Sequence, residues 1–263
     1  MSSGPAGRWD DLNVRLVSSV VIAVIGVLGC WAGGIAFLVL TVVVCAVMVW
    51  ELARMLDPDS PAIAMAGVAA LCLTVANFLP PGFALPLLIA PALVGFGQLP
   101  RRRASFTIFT VLILLAGFGL YTLRTNYGFL WLGWLLAVVI VTDVCGYFAG
   151  RYIGGPKFWP RVSPKKTWSG TAAGWIGAAI VGVAMALWTG ADLQLAGISV
   201  SVSMASQLGD IAESAVKRRV GVKDSSTLLP GHGGVFDRFD GMLGGAVFLL
   251  LISALIDFPP GVV

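Results

Sequence analysis

Charge is what this chain has least of. Asp, Glu, Lys and Arg make up 11% of its 263 residues, against 58% hydrophobic residues, and the mean hydropathy is +0.92. Soluble domains carry about 25% charged residues, so a soluble domain is excluded. The apolar runs are long and continuous, not the roughly ten-residue alternating segments of a membrane barrel. The fold class expected is all-α, a polytopic helical bundle in a membrane. Histidine is scarcer still, with His232 the single example. The cysteines, Cys30, Cys45, Cys72 and Cys145, each lie inside an apolar run. No CxxC pair or neighbouring His accompanies them, which excludes a disulfide framework or zinc site and leaves packing roles. A GxxxxGK[ST] loop is absent. So is any soluble module with interleaved basic and aromatic residues, which sets nucleic-acid binding aside. The polar opening MSSGPAGRWDDLNVR leads into an apolar run about twice the length of a signal-peptide core, with no small-x-small cleavage site. It reads as mature protein.

A helix needs about 20 apolar residues to cross a bilayer. Leu16–Trp50 is long enough for two short crossings, with Gly33-Gly34 as the turn. Further candidates are 62–79, 83–99, 104–123, 128–149, 169–190, 195–217 and 241–257, about nine in all. The pair 62–79 and 83–99 is the weakest, and Pro86 and Pro91 allow a kinked or re-entrant element there. Cationic residues concentrate in cytoplasmic loops. With a cytoplasmic N-terminus and nine alternating spans, all of the 17 Lys and Arg except Arg124 fall on the cytoplasmic side. The expected location is the plasma (inner) membrane, multi-pass, with the basic loops facing the cytoplasm. The same rule accounts for the net charge of +4 without any ligand. We expect N-terminal membrane helices over 1–130 and C-terminal helices carrying the polar loops over 131–263. Gly170, Gly174, Ala178 and Gly182 recur at four-residue spacing, a stripe that lets helix backbones approach closely. It implies packing within the chain or, alternatively, a homodimer seam.

Three polar constellations break this background. In VTDVCGYFAGRYIGG, Asp143, Tyr147 and Arg151 share one helix face. An intramembrane carboxylate is a functional candidate, with a structural ion pair to Arg151 as the alternative. In PRVSPKKTWSG, Lys165 and Lys166 lie between Ser163 and Thr167, a set able to hold phosphate oxygens or to meet anionic headgroups. The third runs SQLGDIAESAVKRRVGVKDSSTLLPGHGGVFDRFDG. Ser206, Asp210, Glu213 and Lys217 fall on one helix face. Arg218, Arg219 and Lys223 follow, then a Gly-rich turn at His232, then Asp237-Arg238-Phe239-Asp240. Asp carboxylates are the usual protein share of a magnesium site, with phosphates and waters completing the shell. Basic residues beside it would neutralise a polyphosphate.

Ser214-x-Val216-Lys217-Arg218, Lys223-Asp224 and Pro230-x-His232-Gly233-Gly234-Val235-x-Asp237-Arg238-Phe239-Asp240 resemble the signature of the phosphatidate cytidylyltransferases, or CDP-diacylglycerol synthases. Gln207-Leu208-Gly209-Asp210 and Ser163-Pro164-Lys165-Lys166-Thr167-Trp168 resemble further blocks of that family. So does Asp143 with Gly146-Tyr147-Phe148, where Val144 departs from the small or hydroxyl residue expected. The resemblance spans roughly Asp143 to Asp240.

It implies that CTP and phosphatidate give CDP-diacylglycerol and pyrophosphate at a cytoplasm-facing site, with Mg2+ or another divalent cation and room for a second metal. The expected metal ligands are Asp210 and Asp237, then Asp143, Asp224 and Asp240. Lys217, His232 and Arg238 join Asp210 and Asp237 as expected catalytic groups. Ser163, Lys165, Lys166, Thr167, Arg218, Lys223, Gly233 and Gly234 are expected to bind substrate. Partners are CTP, phosphatidate and membrane lipids. Two rival readings are a CDP-alcohol phosphotransferase and an ion-coupled transporter. Asp240-Gly241 opens a DGxxAR pattern, but Met242 to Gly245 supply no Ala-Arg pair. A transporter accounts for Asp143 and Asp210 but needs no HGGxxDRxD.

Overall fold

A computed structural model describes residues 5–261, with side chains described from residue 17 onward except at residue 81. Arg8 and Arg15, used above to orient the N-terminus, therefore lie outside the described side chains. Eight helices account for the described secondary structure, apart from one two-stranded hairpin. The helices are α1 (Pro5–Ala32), α2 (Gly34–Leu56), α3 (Ala62–Ala76), α4 (Pro81–Gln98), α5 (Arg103–Tyr152), α6 (Trp168–Thr189), α7 (Gln194–Val220) and α8 (Phe236–Ile252). The hairpin, β1 (Lys157–Trp159) and β2 (Ser163–Thr167), is antiparallel. With an isolated bridge between Leu229 and Gly233, it is the departure from an all-α reading among the described residues.

Every expected apolar segment falls largely on a helix or on one helical arm. The segments 104–123 and 128–149 are the two helical arms of α5, which kinks between them at Gly128, where the backbone leaves helical angles (φ 85, ψ −176). Gly33 separates α1 from α2, and both it and Gly34, the first residue of α2, have positive φ. Pro86 and Pro91 sit inside α4. Gly34–Leu56, Arg103–Tyr152 and Trp168–Thr189 are long and apolar enough to cross a membrane. Over the described residues, α1, α3 and α4 offer shorter apolar stretches. At about 1.5 Å per residue, the 15 residues of α3 reach only about 23 Å of a hydrocarbon core near 30 Å. On α7, Asp210, Glu213 and Lys217 dilute the apolar sequence.

The chain forms two compact units. One runs to Thr110 and includes Val222–Arg238; the other comprises Val111–Gly221 and Phe239–Val263. The His232 loop thus goes with the N-terminal unit. The reason is local: Glu51 of α2 accepts hydrogen bonds from that loop.

In the first unit Met48, Val49, Leu52, Leu73, Leu88 and Phe106 are buried. In the second, Leu132, Leu135, Val138, Ala178, Leu195 and Val202 are buried. Polar links join its helices. Trp134 Nε1 donates to Ser199 Oγ (3.1 Å), and the hydroxyls of Thr142 and Ser203 lie 2.8 Å apart. The small-residue stripe of α6 packs inside this unit. A Cβ at Gly170 would meet the Gly146 carbonyl, one at Gly174 would stand 2.8 Å from Gln207 Nε2, and one at Gly182 would stand 2.6 Å from Ala196 Cα.

Candidate active site

The second unit holds a cavity of about 480 Å³. Asp143, Gly146, Tyr147 and Arg151 reach it from α5, Lys157 from β1, Lys165, Lys166 and Thr167 from β2, Gly170 and Thr171 from α6, and Gln207 and Asp210 from α7. Parts of three sequence blocks, centred on Asp143, Lys165-Lys166 and Gln207 to Asp210, therefore line one space.

The hairpin explains how the lysines get there. Trp168 N donates to the Pro156 carbonyl (3.1 Å), and Ser169 Oγ donates to that of Gly154. Thr167 has extended backbone angles, and its Oγ1 accepts from Gly170 N (3.2 Å), the usual geometry of a helix N-cap. Strand β2 thus passes directly into α6. Thr167 is buried and serves the cap, while Lys165 and Lys166 just before it face the cavity. Ser163 pairs with Trp159 at the far end of the strand and is not among the cavity residues.

The charges interlock. Lys166 Nζ pairs with Asp210 Oδ2 at 2.5 Å, and Ser214 Oγ donates to Asp210 Oδ1 (3.3 Å). Arg151 Nη1 donates to Tyr147 Oη (2.8 Å), so it turns along its own helix and does not pair with Asp143. Asp143 and Asp240 both lie within electrostatic range of Asp210. Glu213 is buried and pairs with Lys217 at 2.5 Å, one turn along α7. Glycine permits the approach of Asp240, because a Cβ at Gly209 would collide with the Asp240 carbonyl. Gln207 is a site residue whose role went unassigned in the sequence. Its Oε1 accepts from Trp175 Nε1 (3.0 Å) and its Nε2 donates to the Thr171 carbonyl (3.3 Å), which fixes the amide at the cavity wall. Arg218 is exposed at the end of α7.

The first unit carries the other expected residues. Leu229 N donates to the Gly233 carbonyl (2.8 Å) and His232 N to that of Leu229 (2.9 Å), making a tight turn. Gly233 has φ 83, and a Cβ there would come within 2.7 Å of Asp237 Oδ2. The Asp237 carboxylate accepts from Ser225 N (2.9 Å), Ser225 Oγ (3.0 Å) and Gly234 N (2.7 Å). Its oxygens are thus engaged by the loop it closes. Arg238 donates through Nε and Nη2 to the His232 carbonyl (3.1 and 2.8 Å). The His232 ring lies between two hydroxyls of α1, Ser18 Oγ at Nδ1 (3.0 Å) and Ser19 Oγ at Nε2 (2.9 Å). Lys223 and Asp224 are exposed at the start of the loop. Among the described residues, no three carboxylate, imidazole or thiol groups converge as a ready metal cage.

Residues 13–256 match the model of the cytidylyltransferase family. A Brucella suis protein named phosphatidate cytidylyltransferase is 34% identical over 269 residues, covering 95% of this chain and 96% of the relative. Proteins of that name from Helicobacter pylori and Bacillus subtilis are each 38% identical over about half of both chains, across 142 and 135 residues respectively. With a family match over most of the chain and a relative aligned over nearly its whole length, the chain belongs to the cytidylyltransferase family.

Proposed function

We propose that this chain is a phosphatidate cytidylyltransferase, joining CTP and phosphatidate into CDP-diacylglycerol with release of pyrophosphate. The observation that carries the reading is the cavity where Arg151, Lys157, Lys165 and Lys166 share walls with Asp143 and Asp210. Two anionic substrates repel one another, and a site joining them must supply positive charge and hold a cation. A phosphate oxygen of phosphatidate attacks the α-phosphorus of CTP. The new O–P bond forms as the bond from the α-phosphorus to the bridging oxygen breaks, and that oxygen leaves with pyrophosphate. Catalysis of this kind rests on positioning and charge neutralisation. Lys165 and Lys166 bind triphosphate oxygens as point charges. Gln207, fixed through Trp175 and Thr171, keeps the wall in shape.

The acidic groups of the second unit fit a divalent cation such as Mg2+. They are hard oxygen donors in mutual electrostatic range, and Asp210 already holds a cationic group, the Lys166 ammonium. Asp210, with Asp143 on the same cavity wall, would offer carboxylate oxygens to the ion, and substrate oxygens and waters would complete its shell. When bound, the ion supplies charge neutralisation between the two substrates. Asp237 fits less well as a ligand because three loop donors engage it; we assign it to the shape of the loop. His232 and Arg238 support the same loop.

The charge pattern supports a cytoplasmic N-terminus, nine crossings and a site at the cytoplasmic face of the plasma membrane, where soluble CTP meets a lipid substrate. The test is pyrophosphate release by purified protein in mixed micelles. Release is expected only with CTP, phosphatidate and a divalent cation together. A CDP-alcohol phosphotransferase or a transporter would release none, and that result would remove the assignment.

A further inference from the structure

Glu51 was not singled out in the sequence because it follows an apolar run as a single acidic residue. It is fully buried in α2, yet both of its carboxylate oxygens face the His232 loop. Oε1 accepts from Ser226 Oγ (2.6 Å) and Val235 N (2.9 Å). Oε2 accepts from Phe236 N (2.7 Å) and, at 3.4 Å, from Ser225 Oγ. Val235 and Phe236 are the entry to α8, where backbone N–H groups have no partner inside the helix and a negative charge is favoured. Ser225 also donates to Asp237, so two acidic side chains grip one loop. Gly234 fits between them: a Cβ there would stand 2.6 Å from Glu51 Oε1 and collide with Ser225 Oγ.

A buried carboxylate is costly unless hydrogen-bonded. Here its acceptors are used entirely on one segment, and that segment carries His232, Asp237 and Arg238. We infer that Glu51 is a positioning residue for the transfer reaction, holding the loop from Ser225 to Asp237 in its working conformation from within α2. This rests on the proposed reaction and on the loop's part in it.

Glu51→Gln keeps the shape but turns an NH2 group toward donors on one side. The expected result is a kcat about 10-fold or more below wild type, in line with the loss of one charge-assisted bond, in protein that remains monodisperse in detergent. Ser226→Ala, which removes one loop donor, is expected to lower kcat by a smaller factor. Loop order has its own readout. Leu228 is 48% exposed, and a thiol at Leu228→Cys should react several-fold faster with a maleimide in the Glu51→Gln background. Wild-type kcat and an unchanged labelling rate would overturn the inference, as would a lowered Tm with normal kcat per folded molecule. If Glu51→Gln does not fold, Ser226→Ala decides the matter by the same two readouts. Asp237→Asn run alongside separates the two ideas. Loss of turnover there with normal turnover in Glu51→Gln removes the role of Glu51 alone, whereas absence of pyrophosphate release in wild type removes the reaction itself.

Discussion

Lys166 Nζ lies 2.5 Å from Asp210 Oδ2, joining the β2 block to the α7 block across one cavity. Lys166→Ala removes a phosphate donor and leaves Asp210 facing Asp143 uncompensated. The KM for CTP should rise more than that for phosphatidate, with kcat/KM for CTP down by roughly 10-fold to 100-fold. Both constants are to be measured in mixed micelles at low and high salt. A uniform, salt-screened loss would instead mark Lys166 as a headgroup anchor.

Asp237→Asn should insert normally in the membrane and nearly abolish turnover. An amide places an NH2 group among Ser225 N, Ser225 Oγ and Gly234 N, all of which donate to the carboxylate. Membrane fractionation with a turnover assay checks both halves. Wild-type activity would remove Asp237 from the site.

Topology can be read by cysteine labelling in a background lacking the native thiols. Gly190 is a poor reporter, because it ends α6 at φ 76 and a side chain there is strained. Gln194 is exposed at the start of α7 and serves better. Ser163→Cys should label only from the cytoplasmic face, and Gln194→Cys only from the opposite face. Equal access at both would end the nine-span assignment.

Gly182→Val should destabilise the second unit by about 1–3 kcal/mol, the usual cost of overpacking. A Cβ would meet Ala196 Cα at 2.6 Å and the Leu195 carbonyl at 2.9 Å, atoms of backbone that cannot rotate away. Thermal unfolding in detergent is the measurement. An unchanged Tm would show that α6 and α7 pack less tightly than described.

Much of this was legible because lipid imposes a simple pattern on sequence. Apolar runs of helical length gave the helices, and the clustering of Lys165, Lys166, Asp143 and Asp210 followed from motifs whose residues share one chemistry. The hairpin was not legible. Lys157–Trp159 and Ser163–Thr167 are too short to show periodicity, and Ser163-Pro164 reads locally as a turn. Nor was the exact place of the break in α5, since Arg124 and Asn126 look like the loop between two spans while the backbone leaves helical angles at Gly128. Glu51 and the Ser18–Ser19 contacts with His232 were hidden for another reason. Their partners lie more than 170 residues away, and no local rule links a lone polar residue to a distant loop.

The direct passage of β2 into α6 has a dynamic consequence. A lysine on a free loop would give up chain freedom each time a nucleotide arrived, at roughly 1–2 kcal/mol per ordered residue. Lys166 precedes the residue that caps a 22-residue helix, and its strand is tied to a partner strand. Its backbone entropy is surrendered once, when the chain folds. Each encounter with substrate then has only a side chain left to order.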